Sequence, residues 1–197
     1  MSFINIQLTY SQSDTIVSVD TLKLNKKVNK NTEPEVKIEF DESKLAPPDV
    51  RKIFNELFKQ YLSVKDALVY NDSYNAARNT LKLLDDMKSK TKNTGILNKD
   101  DRWVLFLKNY DNIRSKVESA KFISDQRFLF NEITNGLQMF IKQYGLYDKT
   151  IYLMQCKSDP PLDNAKWFSD SKDKKNPYLG LLNDTSCAKV NEIWNFR

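Results

Sequence analysis

Between residues 49 and 145, apolar side chains recur at steps of three and four in four successive stretches, and this periodicity most narrows what the chain can become. The first stretch reads Val50, Ile53, Phe54, Leu57, Tyr61, Val64 and Leu68 after Pro47-Pro48-Asp49, where Asp49 suits a helix N-cap. The second carries Tyr74, Ala77, Leu81 and Leu84 behind a cap at Asp72 or Ser73, and residues 90–95 stop it. The third has Trp103, Phe106 or Leu107, Tyr110, Ile113 and Val117, with Asn98 as cap and Asp101 three residues later. The fourth begins at Ser124 and carries Phe130, Ile133, Leu137, Phe140 or Ile141, and Tyr144 up to Gly145, which suits a left-handed cap. Four amphipathic helices with short connections predict a mainly α protein, an antiparallel up-down four-helix bundle. The aromatic stripes read as core, since each large side chain stabilises by on the order of 1.5–3 kcal/mol when buried.

Either side of this body the pattern changes. Residues 1–48 read as a short N-terminal arm, extended or linker-like, with strand runs at Thr15-Ile16-Val17-Ser18-Val19 and Glu35-Val36-Lys37-Ile38-Glu39-Phe40. Residues 49–197 form the helical domain together with an irregular C-terminal segment. In that segment Thr150-Ile151-Tyr152-Leu153-Met154 reads as a short extended run before Cys156, and Trp167-Phe168 and Asn176-Pro177-Tyr178 read as packed anchors and turns.

Composition removes whole classes of chemistry. The chain has 197 residues, 4 glycines and no histidine. Without histidine there is no Ser–His–Asp or Cys–His arrangement and no His-ligated metal. Four scattered glycines build no phosphate-cradling loop. Asp85-Asp86 and Asp100-Asp101 are adjacent pairs that diverge on a helix, so they do not face one another as an acid–base pair. These readings predict a protein that is not an enzyme. The net charge of +5 is spread among acids, as in Asp170-Ser171-Lys172-Asp173-Lys174-Lys175, which argues against a nucleic-acid interface. No run of about 18 apolar residues predicts a membrane span. The start Met1-Ser2-Phe3-Ile4-Asn5 does not read as a signal peptide, which taken literally means cytoplasm.

The 2 cysteines, Cys156 and Cys187, both lie in the C-terminal segment. Three readings are open: a disulfide closing a loop of about 30 residues, worth roughly 3–4 kcal/mol in the chain-entropy model; two inert buried thiols; or a soft-metal site. A redox role has less to recommend it, since there is no C-x-x-C. A disulfide requires Cα atoms within about 7 Å.

Three stretches resemble a bacterial family of uncharacterised domains that occur alone, often exported or lipid-anchored, or appended to periplasmic adaptor subunits of copper/silver efflux pumps. Tyr61-Leu62-Ser63-Val64-Lys65-Asp66-Ala67-Leu68-Val69, with Asp72 and Ala76-Ala77, resembles the family's first helical pair. Gln126-Arg127-Phe128-Leu129-Phe130 with Ile133-Thr134 is similar to its Gln-Arg-x-x-Phe-x-x-Leu-Ser signature. Residues 152–156, Ala165-Lys166-Trp167-Phe168-Ser169, Lys175-Asn176-Pro177-Tyr178-Leu179-Gly180 and Cys187 resemble its C-terminal motif. The resemblance implies a periplasmic or lipid-anchored protein, an efflux-system or envelope partner, and handling of a soft metal, Cu(I). It implies Cys156 and Cys187 as ligands, with Met154 as a third sulfur donor. Read from the residues themselves, Trp167, Asn176, Pro177, Tyr178 and Gly180 are structural anchors that fix the segment on the bundle. The sequence departs from the motif where Lys157-Ser158 replaces the family's Pro and Met, where Gln155 stands for His, and where no Met precedes Cys187.

Overall fold

Helix boundaries follow the local chemistry closely. The computed structural model describes residues 35–157, 165–181 and 187–197, so the expected strand at residues 15–19 lies outside the described residues. Helix α1 (Pro48–Val69) starts on a proline, one residue before the expected cap; a first-turn N–H has no intrahelical acceptor, so Pro48 loses nothing there. It stops at Asn71, whose φ of 57° turns the chain so that the Asp72 N–H bonds back to the Ala67 carbonyl at 2.9 Å. Asp72 then caps α2 (Ser73–Thr91) by accepting from the Asn75 N–H at 2.9 Å.

The third stretch departs from expectation. The single helix expected from Asn98 onward is instead a short turn, α3 (Gly95–Asn98), followed by α4 (Asp101–Lys108) and α5 (Tyr110–Ser119). Asp100, and not Asn98, caps α4 by accepting from the Arg102 N–H at 2.9 Å. The break between α4 and α5 falls at Asn109, whose side chain donates to the Leu105 carbonyl at 3.2 Å. Such a side-chain bond competes with the helical ladder. Helix α6 (Ile123–Tyr144) starts one residue before its expected first residue. Gly145 ends it at φ +80° and ψ 171°, a positive φ outside the left-handed helical well, and a Cβ there would lie 2.7 Å from Leu45 Cδ1.

Around these helices lies a second layer that corrects the expected irregular C-terminal segment. Strands β2 (Lys149–Cys156), β3 (Ala165–Ser169) and β4 (Lys189–Phe196) join β1 (Val36–Phe40) in one four-stranded sheet of order β1-β4-β2-β3. The run at residues 35–40 is thus an edge strand, parallel to β4 with Val36 opposite Glu192 and Phe40 opposite Phe196. The β2–β4 and β2–β3 pairs are antiparallel, with Cys156 opposite Ala165 and Met154 opposite Trp167. A register shift between Leu153 and Met154 lets two consecutive side chains of β2 both be buried.

Helices and sheet share one core. Helix α1 packs on α2 and α6, and α6 also meets β3. Phe54, Trp103, Phe140 and Tyr144 form an aromatic cluster among α1, α4 and α6, with Trp103–Phe140 centroids 4.6 Å apart. Tyr61 stacks on Phe130 at 4.9 Å, and its edge meets Phe168 of β3, which in turn meets Trp194 of β4 at 5.2 Å. The described residues are therefore mainly helical with a small sheet. No helix among them is long and apolar enough to cross a membrane.

Candidate functional site

Strand pairing brings the two cysteines together. Cys156 closes β2 and Cys187 stands two residues before β4, the neighbouring strand. Although 31 residues apart in sequence, they are joined as a disulfide with Cα atoms 5.0 Å apart. Cys156 is buried and Cys187 partly buried.

The turn of Asn176-Pro177-Tyr178-Leu179-Gly180 is built onto this bond. The buried Asn176 side chain faces Cys187 Sγ through Nδ2 at 3.7 Å and accepts the Tyr178 N–H at 2.8 Å. The Asn176 backbone carbonyl accepts the Gly180 N–H at 3.0 Å. The Tyr178 hydroxyl donates to the Lys166 carbonyl at 2.9 Å, and its ring packs on Phe130 and Trp167. Arg127, near the start of α6, donates from Nε to the Pro177 carbonyl at 2.8 Å, and from Nη2 to Asn71 Oδ1 at 2.6 Å and the Leu68 carbonyl at 3.3 Å. One guanidinium thereby ties the turn to the α1–α2 corner. Leu181 completes the contact by donating its N–H to the Val69 carbonyl at 3.0 Å. Gly180, at φ +76°, is needed for close approach: a Cβ there would stand 2.7 Å from Asn71 Oδ1 and 3.1 Å from Arg127 Nη2.

A second hydrogen-bond chain runs beneath it. The Phe168 N–H, on the outer edge of β3, donates to the Tyr61 hydroxyl at 3.1 Å. Thr134 Oγ1 donates to the Phe130 carbonyl at 2.8 Å, so it must accept from Tyr61, 2.9 Å away. Tyr61 and Tyr178 thus satisfy Phe168 and Lys166 on the same outer edge of β3, in place of a further strand. Burial pushes both phenols well above their ordinary pKa, which keeps them neutral donors.

The sequence-derived site residues therefore divide. Cys156, Cys187, Asn176, Pro177, Tyr178 and Gly180 lie in one connected arrangement. Trp167 is fully buried beside Tyr178, and its Nε1 has no hydrogen-bond partner among the described residues. Met154 is fully buried in β2 opposite Trp167. As a donor set for Cu(I), the arrangement lacks its principal members, because disulfide sulfurs are not thiolates. The described residues contain no group of three or more Cys, Asp or Glu side chains that could hold a metal ion. Arg127 and Thr134 stand in the sequence only as part of the signature-like stretch, and neither they nor Asn71 carried an expected role. A charged residue directly before the apolar run Phe128-Leu129-Phe130 was the available signal for Arg127.

Elsewhere, one carboxyl is markedly perturbed. Burial would raise Asp100, but hydrogen bonds from Tyr144, Arg102 and Gln143 outweigh it and bring its pKa to about 2. These bonds tie the start of α4 to the end of α6.

Residues 57–149 match the family described as Protein of unknown function (DUF3347). The match runs from within α1 to the first residue of β2, so both cysteines lie outside it. Neither a curated protein nor a solved structure matches the chain.

Proposed function

We propose that the chain is a non-enzymatic, disulfide-stapled protein-interaction module. In this reading α1, α2, the α4–α5 pair and α6 run as an up-down four-helix bundle, and the small sheet locks its C-terminal turn onto one corner. The observation that carries it is the pairing of Cys156 with Cys187 at a Cα separation of 5.0 Å. That bond occupies both thiols and fixes the segment instead of exposing a reactive group. The absence of histidine and the low pKa of the hydrogen-bonded Asp100 favour a binding role over acid–base catalysis near neutral pH. A lasting disulfide suits an oxidising compartment such as the periplasm, and the partner implied by the resemblance is an envelope or efflux-system protein.

The copper role implied by the same resemblance would run through the reduced chain, with Cys156 and Cys187 as thiolates and Met154 beside them. The experiment that separates the readings is Cu(I) titration against a chromogenic chelator on oxidised and reduced protein. The stapled-module reading predicts no stoichiometric Cu(I) uptake by the oxidised form. Tight uptake by protein as purified, abolished in Cys156→Ser, would replace it with the metal-site reading.

A further inference from the structure

Five of the nine large apolar side chains exposed among the described residues stand at one end of the molecule. Tyr70 and Tyr74 flank the α1–α2 connection, Phe122 and Phe128 lie at the start of α6, and Leu181 follows the C-terminal turn. Hydrogen bonds bring these segments together. Arg127, next to Phe128, bonds Asn71, next to Tyr70, and the Leu181 N–H bonds the Val69 carbonyl. Tyr74 shares a cleft with Ala120, two residues before Phe122. Each of the five is between 46% and 73% exposed, so they project singly from separate turns. Apolar side chains scattered one by one are ordinary surface, but five converging from four segments are not.

The charges at this end indicate what meets it. The acids nearest these side chains are committed. Asp72 and Asp125 accept backbone N–H groups at the starts of α2 and α6, where the helix dipoles offset their charge. Asp66 holds Lys65, Asp173 holds Lys175 and Glu118 holds Arg114. Three exposed cations remain: Arg78 beside Tyr74, Lys121 next to Phe122, and Lys174, whose neighbour Lys175 feels the charge of Tyr70. None of the three has a hydrogen-bond or ion-pair partner among the described residues. A second copy seated symmetrically would set these cations against themselves. Lysine is depleted from protein interfaces, whereas projecting aromatics ringed by free cations suit the headgroup level of a bilayer.

We propose that this end docks on a lipid surface carrying anionic headgroups. Phe122, Phe128 and Leu181 enter the acyl boundary, Tyr70 and Tyr74 keep their hydroxyls among the headgroups, and Arg78, Lys121 and Lys174 meet the phosphates. The inference goes beyond the interaction-module reading and does not rest on it.

The test is co-sedimentation of the oxidised full chain with vesicles of phosphatidylcholine alone and of phosphatidylcholine mixed with phosphatidylglycerol. The parent chain should sediment with the mixed vesicles, and the bound fraction should fall as salt is raised. Phe122→Ser combined with Phe128→Ser, at side chains exposed enough to leave circular dichroism unchanged, should weaken partitioning about tenfold or more. Arg78→Glu combined with Lys121→Glu should do the same on the mixed vesicles. Leu105→Ser, at an exposed position of α4 outside this end, should bind as the parent chain does. No sedimentation of the parent chain with either vesicle would overturn the inference and leave the patch to a protein partner. Sedimentation unchanged by the paired Phe substitutions, or lost equally in Leu105→Ser, would overturn it as well. Concentration-dependent dimerisation in analytical ultracentrifugation, abolished by the paired Phe substitutions, would assign this end to a second copy instead.

Discussion

Replacing Tyr61 by Phe removes one oxygen from the centre of the molecule and nothing else. The ring keeps its place against Phe130, 4.9 Å away, so no cavity opens. What changes is the hydrogen bonding. The Phe168 N–H loses its acceptor at 3.1 Å in a site where Tyr61 and Phe168 are both fully buried. A stranded buried donor costs about 1–3 kcal/mol, and the lost Tyr61–Thr134 bond adds about 1 kcal/mol. Thr134 itself keeps its bond to the Phe130 carbonyl, so no second group is orphaned. The expected destabilisation is about 3 kcal/mol. For a chain of this length that lowers Tm by about 6–12 °C. Urea unfolding should show a lower midpoint with an unchanged slope, and hydrogen exchange should show faster exchange at the Phe168 amide. A change below about 0.5 kcal/mol, the level of ordinary surface substitutions, would refute the argument that the phenol closes the β3 edge.

Three further outcomes follow from the same geometry. Converting both cysteines to alanine should cost about 3.7 kcal/mol, the chain-entropy value for a loop of this length, and lower Tm by about 7–15 °C in calorimetry; an unchanged Tm would mean the bond constrains nothing. Gly180→Ala should cost about 2–4 kcal/mol, from the positive φ and from displacement of the Asn71–Arg127 bond, and limited trypsinolysis should then cut sooner at Lys174-Lys175. Asp100 titrates lower in the folded chain than its ordinary carboxylate value, so its contribution is complete above about pH 5 and is lost as pH falls toward 2; acid unfolding of Asp100→Asn, followed by circular dichroism, should show a shallower loss across that window, and an identical acid limb would contradict the assignment.

The helices were legible because their signals are local. Val50, Phe54, Leu57, Tyr61, Val64 and Leu68 repeat at helical spacing, and all six are buried. Asp72 declared its cap, and Glu35-Val36-Lys37-Ile38-Glu39-Phe40 alternates as a half-exposed strand should. The sheet was not legible as a whole. Lys189-Val190-Asn191-Glu192-Ile193-Trp194-Asn195-Phe196 carries three Asn or Glu among its apolar residues, and it becomes a strand because β1 and β2 flank it on both sides. The break falls at Asn109, whose side chain reaches the Leu105 carbonyl, and an apolar periodicity count does not register such a site. The cysteine pair was visible as two candidates on one segment. Their convergence depends on the antiparallel β2–β4 register, a property of the assembled sheet. The Arg127 clamp was hidden for the same reason: its partners Asn71 and Pro177 are 56 and 50 residues away in sequence.

The C-terminal turn is held by a covalent link from the end of β2 to Cys187, two residues before β4. The most direct measurement is non-reducing tryptic mapping of the folded protein after alkylation of free thiols. A single cross-linked species joining the Cys156 peptide to the Cys187 peptide, with neither cysteine alkylated, is the predicted result. Two fully alkylated cysteines in protein that is folded by circular dichroism, after purification without reductant, would contradict it.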